Sequence, residues 1–354
     1  MAESSTLADA TAELVALKAE FRGLGFYHKP TGRVLIELGV HLSFGAAGVA
    51  VLLSTSGVWF AALGLALFCV GQMGLATNTH TSAHFASSRL RWFNQALTFL
   101  GYPLLLGLGA TYWWTKHNAL HHSAPNVIGV DDDIAFRPWF AFSQDDLRSV
   151  GRLARHYYRI QWLLLPVALV LMSVNLQLAS LVHLYRVWRS PRGLRPVHRL
   201  DLTLLSLHWI VWVVLPLMLL PTIPVLVFTA IRLLALAAFR FIVFGPAHMP
   251  VDAHAVLPEG KGADNFLLQT SNTLNFRAGP LAAWLIAGLH YQIEHHLFPG
   301  ICHVHYPHMS PLVAAYCRRH GYPYRTLGWG EALRKTVDNF RRPKEVTAEL
   351  RRLA

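Results

Sequence analysis

Charged residues are scarce in this chain: Asp, Glu, Lys and Arg make up 14% of its 354 residues, while 53% are hydrophobic. With a mean hydropathy of +0.35, that composition excludes an ordinary soluble domain and is that of an integral membrane protein. Polar linkers are missing as well, so a length that often divides into two soluble domains is expected to form one. Cysteine is rare. Cys69, Cys302 and Cys317 have no ligand-like spacing, and an odd number argues against a disulfide framework, which fits a reducing, cytoplasm-facing site. Acidic residues number 19 against 31 Lys and Arg, a net charge of +12. In a soluble protein that excess would suggest nucleic acid. Here the arginines flank apolar segments, where the positive-inside bias and anionic headgroups account for them, and no nucleic-acid partner is expected. The opening M-A-E-S-S-T-L-A-D-A lacks the basic start and short apolar core of a cleaved signal. It reads as the start of a 1–33 amphipathic surface segment through Leu7, Leu14, Leu17 and Phe21, on the membrane or against the cytosolic cap, broken near Gly23 and Gly25.

Histidine, by contrast, is abundant, at 20 residues, and it is clustered. His80 and His84 lie in H-T-S-A-H, His117, His121 and His122 in H-N-A-L-H-H, and His295 and His296 in Q-I-E-H-H, each just past a hydrophobic run. Histidines at i and i+4 share a helix face, so each cluster can offer two or three imidazoles to a metal. One H-x-x-x-H pair is expected roughly once by accident in such a sequence, whereas all three clusters beside apolar ends are not. Seven imidazoles exceed the needs of one ion and suggest two at a shared centre rather than a four-ligand structural zinc. The isolated His28, His41, His183, His198 and His208 are assigned to capping or lining helix ends.

Five or six stretches are long enough to enter a bilayer. Residues 34–53 and 58–75 form a hairpin, 96–114 lies between the first two clusters, 160–184 follows, and 202–244 is divided at L-P-T-I-P. One metal centre requires all clusters on one membrane face, hence an even number of crossings between them. The 96–114 stretch therefore dips in and returns, or lies in the interface. The 160–184 stretch has Arg148, Arg152, Arg155 and Arg159 before it and Arg186, Arg189, Arg192, Arg195 and Arg199 after it. Both of its ends are thus expected on the cytoplasmic side, making it re-entrant or interfacial. The predicted architecture is an all-α integral membrane protein: four transmembrane helices as two hairpins, two re-entrant or interfacial helices, and a cytosolic histidine-rich cap. The membrane domain spans 34–325 and a basic cytosolic tail 326–354. Arg232 is discordant, because charge at mid-depth is costly unless it faces the protein interior.

Carboxylate-bridged iron centres in soluble bundles use Glu-x-x-His pairs, and none occurs here. Ligation must be dominated by neutral imidazoles. Such a pair of irons at a membrane surface suits oxygen activation against an unactivated C–H bond of a lipid chain. A zinc protease is excluded by the absence of H-E-x-x-H, and H-Y-Q-I-E-H has one residue too many for the inverted form.

From about residue 75 to 325 the chain resembles the membrane fatty acid desaturases, and within them the front-end group. The resemblance rests on L-H-Y-Q-I-E-H-H-L-F-P (289–299), where Gln stands in place of the box's first His, on H-N-A-L-H-H-S-A-P-N (117–126) followed by Asp131, Asp132 and Asp133, and on C-R-R-H-G-Y-P-Y from Cys317. It implies that His80, His84, His117, His121, His122, His295 and His296 ligate two iron ions, with O2 as co-substrate and Gln292 in or beside the coordination sphere. His248, in F-G-P-A-H-M-P, occupies the place of the family's extra ligand. Asp131, Asp132, Asp133 and Glu294 are candidates to orient the ligating rings. Asn272 is a candidate to line the substrate channel or to cap a helix. Two departures stand out. Thr81 replaces an Asp common in relatives, leaving a partner missing or supplied elsewhere, and His290 stands where relatives often have Asn, with a structural role expected. No His-Pro-Gly-Gly haem motif occurs, so a separate electron donor of ferredoxin or cytochrome type is expected, drawn to basic residues such as Arg318, Arg319, Arg341 and Arg342.

The expected activity is introduction of a cis double bond into an acyl lipid, acyl thioester or sphingoid base, at the cytoplasmic face of a bacterial inner membrane or endoplasmic reticulum. A hydroxylase on the same scaffold stays open, since the first hydrogen abstraction is common to both. A haem-binding or metal-transporting membrane protein is the alternative of a different class, although such proteins place histidines within facing spans.

Overall fold

The computed structural model describes residues 14–343 apart from 55, 128, 135–136, 251 and 254–264, with backbone only at 145 and 166–170. Leu7 and residues 344–354 of the expected tail lie outside the described residues. In chain order the helices are α1 (14–23), α2 (Thr31–Ser54), α3 (Val58–Ala83), α4 (Arg91–Phe99), α5 (Ala110–Trp113), α6 (Gln144–Arg148), α7 (Arg152–Ile160), α8 (Leu165–Arg189), α9 (Pro196–Trp209), α10 (Leu215–Leu219), α11 (Thr222–His248), α12 (Asn265–Asn272), α13 (Pro280–Leu285), α14 (Gln292–Leu297), α15 (Tyr306–His320) and α16 (Trp329–Arg341). Two strands, β1 (Asn275–Arg277) and β2 (Thr326–Gly328), pair in parallel with Asn275 opposite Thr326.

Among the described residues, four helices are long and apolar enough to cross a membrane: α2, α3, α9 continued through α10 (Pro196–Leu219), and α11. The prolines of L-P-T-I-P fall at the break between α10 and α11, where Leu220 is extended. Helices α2 and α3 approach so closely that small residues are required between them. A Cβ built on Gly71 would stand 2.5 Å from the Gly45 nitrogen and 2.6 Å from the His41 carbonyl oxygen. Arg232 is 1% exposed. It faces the protein interior, with its guanidinium 5.7 Å from the Trp212 ring centre and 3.5 Å from His208 Nε2.

The 96–114 stretch goes out and comes back. Helix α4 continues as a π-helix over Leu100–Leu106, then breaks at Gly107, whose φ of 71° is the left-handed conformation that glycine tolerates. Both of its ends sit at the end of α3: Asn94 Oδ1 accepts from the Ser87 and Ser88 N–H groups, while Trp114 Nε1 and Asn118 Nδ2 donate to the Ala83 carbonyl. Opened backbone in an apolar bundle needs protein partners. At the tip, Gln177 donates to the Leu106 carbonyl, the Gly109 N–H donates to Ser180, and Asp201 accepts the Ala110 and Thr111 N–H groups at 3.0 and 2.8 Å.

The 160–184 stretch, expected to be re-entrant or interfacial, is largely one 25-residue helix, α8. The region expected as a tail is packed into the body over its described part. Strand β2 pairs with β1, and α16 buries Ala332, Thr336 and Phe340. Helix α1 packs on the cap, where Leu17 and Phe21 join Ile293, Phe298, Met309 and Tyr316 in one apolar cluster. That cluster includes Ile293 of α14, and a second one, with Phe239, Val243, Leu274, Phe276 and Leu289, joins α11 to β1.

Candidate metal centre

The three histidine clusters converge at one place. His80 lies in the last turn of α3 with His84 just beyond it, and His248 ends α11. The middle cluster lies on a π-helix, Trp114–His121, closed by a bond from the His122 N–H to the His117 carbonyl at 3.0 Å. In α geometry residues five apart would diverge by about 140°, whereas i→i+5 bonding sets them nearly one above the other. His117, His121 and His122 thereby all face inward.

Their ring nitrogens form two buried sets, each with all its atoms within 4.8 Å of one another: His80, His84, His117, His122 and His295 in one, His121, His248 and His296 in the other. Each doublet is divided, because adjacent residues on a helix point in different directions. His121 and His122 go to opposite sets, as do His295 and His296. Burial and the neighbouring imidazoles hold His122, His295 and His296 well below the ordinary histidine pKa, so they are neutral, the form that ligates. Among the described residues, His84 Nε2, His122 Nδ1, His295 Nε2 and His296 Nε2 are buried without a hydrogen-bond partner. Buried acceptors left open in this way fit a transition-metal centre.

Around the rings sits a polar layer. His121 Nδ1 is 2.9 Å from Asp131 Oδ2, which also accepts the Asn126 N–H at 2.8 Å. Burial lowers the His121 pKa, but the Asp131 carboxylate outweighs it and the net shift is upward. His296 Nδ1 is 3.0 Å from Gln269 Oε1, and His295 Nδ1 is 3.2 Å from the Tyr306 hydroxyl. Gln292 lies 2.8 Å from His248 Nε2. Asp133 pairs with Lys116 and stands 3.6 Å from both His117 Nδ1 and His121 Nδ1. Asp132 is exposed.

Glu294, Asn272 and His290 stand outside the two sets. Among the described residues Glu294 bonds no imidazole. It accepts from Asn275 Nδ2 at 2.9 Å and from the Tyr324 hydroxyl at 2.6 Å, clamping α14 to β1. Asn272 is the fully buried last residue of α12, and its carbonyl accepts from Asn126 Nδ2 at 3.1 Å. His290 is in neither set and packs on Tyr291.

His303 carried no signal of spacing. Its Nδ1 is 3.0 Å from Thr81 Oγ1 and its Nε2 3.0 Å from Glu37 Oε2, so it links Thr81 of α3 to Glu37 of α2 by way of the cap. Burial lowers the His303 pKa, but contacts with Cys302 and Glu37 raise it to about 9, leaving it protonated. Its ordinary value is 6.5, so the pair's stabilisation is complete below about pH 6.5 and is lost as pH rises through about 9. The melting temperature of the wild type should therefore exceed that of His303→Gln by more at pH 6 than at pH 10. An equal gap at both would refute the ion pair.

Two adjoining cavities reach the histidines between α3, α8 and α11. One of about 30 Å³ touches His80, the other of about 100 Å³ touches His117, His121 and His248, and both are lined by Trp113, Leu176, Arg240 and Phe244.

A family model described as Fatty acid desaturase matches residues 54–328. The chain is 29% identical over 341 residues to "Delta(8)-fatty-acid desaturase 2" of Arabidopsis thaliana, covering 92% of this chain and 73% of that protein. It is 30% identical to "Delta(8)-fatty-acid desaturase" of Euglena gracilis, covering 72% and 60% respectively. Similarity to "sn-1 linoleoyl-lipid 6-desaturase" of Synechocystis is 28%, covering 74% of each.

Proposed function

The chain belongs to the fatty acid desaturase family, and from that premise we propose that two iron ions are held by its two histidine sets and that an acyl chain reaches them through the cavities above. The reading is carried by one observation, the division of eight buried imidazoles into adjacent groups of five and three. Iron bound there would supply the oxidation that removes two hydrogens from adjacent carbons, with O2 and two electrons and two protons balancing two waters. The protein's own part is positioning. Asp131, Gln269 and Tyr306 hold the rings of His121, His296 and His295 in orientation, and Gln292 sits against His248. Phe244 and Trp113 line an apolar slot that excludes water from the chain.

In this reading α2–α3 and α9–α11 cross the bilayer as two hairpins, α8 lies in the interface between its flanking arginines, and every histidine cluster faces the cytoplasm. Electrons come from a separate acidic carrier, for which exposed Arg318, Arg319, Arg341 and Arg342 offer a docking surface. Lipid analysis of a host expressing the chain should find a new cis double bond. A hydroxylated lipid without unsaturation would overturn the desaturase reading in favour of the hydroxylase.

A further inference from the structure

Arg240 is a cation in the wall of an apolar cavity. It lines both cavities, precedes His248 on α11 by eight residues, about 12 Å along the helix, and makes no ion pair among the described residues. Its one hydrogen bond there is from Nη2 to Ser173 Oγ at 2.6 Å, and its Nε is buried with no partner. One turn on from Ser173 along α8, Gln177 lines the same cavity. Its amide nitrogen is used by the Leu106 carbonyl, while its Oε1 is buried and open.

An open guanidinium donor, a hydroxyl whose proton is free to donate, and an open amide acceptor thus share one cavity wall. Leaving such groups unmet in an apolar site is costly. A methylene chain satisfies none of them. An ester or carboxylate oxygen would satisfy the donors and leave the Gln177 oxygen unmet. A hydroxyl group both accepts and donates, and answers the whole set.

Resting on the desaturase reading, we propose that Arg240, Ser173 and Gln177 form a polar subsite that binds a hydroxyl group carried on the substrate's hydrocarbon chain. The contact sets which carbons lie at the metal centre. Because the donor group is charged, it contributes about tenfold or more in selectivity.

The test uses the iron-loaded full chain with its electron supply, given plain long-chain acyl lipids and a series of equal-length chains whose single hydroxyl is moved one carbon at a time. The wild type should prefer one hydroxylated member over the plain chain by about tenfold or more in kcat/KM, with the double bond at a fixed distance from the hydroxyl. Arg240→Met and Ser173→Ala should each collapse that ratio and scatter the bond position at unchanged iron content, and Arg240→Lys should retain part of it. Equal kcat/KM for plain and hydroxylated chains, or a ratio unmoved in both variants, would overturn the subsite and leave it to water. Preference for the plain chain would overturn it equally. Failure of the wild type to form a double bond in any substrate would instead sink the desaturase reading itself.

Discussion

Replacing His121 with alanine is expected to abolish lipid unsaturation in an expressing host, by at least about a hundredfold, because even residues that only orient a ligand ring cost 10–100-fold when removed. His121 belongs to the smaller set, with His248 and His296. Its loss leaves two neutral imidazoles there and strips Asp131 of the ring it orients. The five-member set stays intact, so metal analysis should find iron content reduced to about half. His290→Ala is the control, since that ring packs on Tyr291 and belongs to neither set. It should keep both iron and product. A His121→Ala protein that gave a wild-type lipid profile would exclude the histidine sets as the catalytic centre.

Gly71→Val should be strongly damaging to the α2–α3 hairpin. A Cβ at this position meets the backbone of α2 at Gly45 and His41, and backbone cannot swing aside as a side chain does. The two helices must separate, at a cost of about 3 kcal/mol or more. Since α3 also carries His80 and sets the position of His84, the displacement should lower iron occupancy as well as the melting temperature in detergent. Gly39→Ala, in the same hairpin but with nothing within 4 Å of its Cβ position, should leave both unchanged. If the two variants melt alike, the close approach of α2 and α3 is not what holds them.

The seven clustered histidines could be read from spacing alone, because i, i+4 pairs and adjacent doublets beside apolar ends are local patterns. His248 could not. It entered by resemblance, and its approach to His121 and His296 depends on where α11 ends relative to α14. Glu294 shows the opposite failure. It immediately precedes His295 and His296 in the chain, yet it turns away to Asn275 and Tyr324, since neighbours on a helix face different directions. Residues 326–341 read as a basic tail because their composition is charged. They are held by strand pairing and by one apolar face of α16, both of which need partners from far along the chain.

By itself the sequence determined the membrane-type composition, the runs that form four helices long and apolar enough to cross a membrane among the described residues, and the imidazole-rich chemistry. These are properties of composition, run length and local spacing. Tertiary structure alone decided that each histidine doublet is split between two sets, that a π turn brings His117 and His122 to the same side, and that Glu37 reaches Thr81 through His303. Each of those depends on helix phase or on contacts between distant segments, which no local window of sequence encodes.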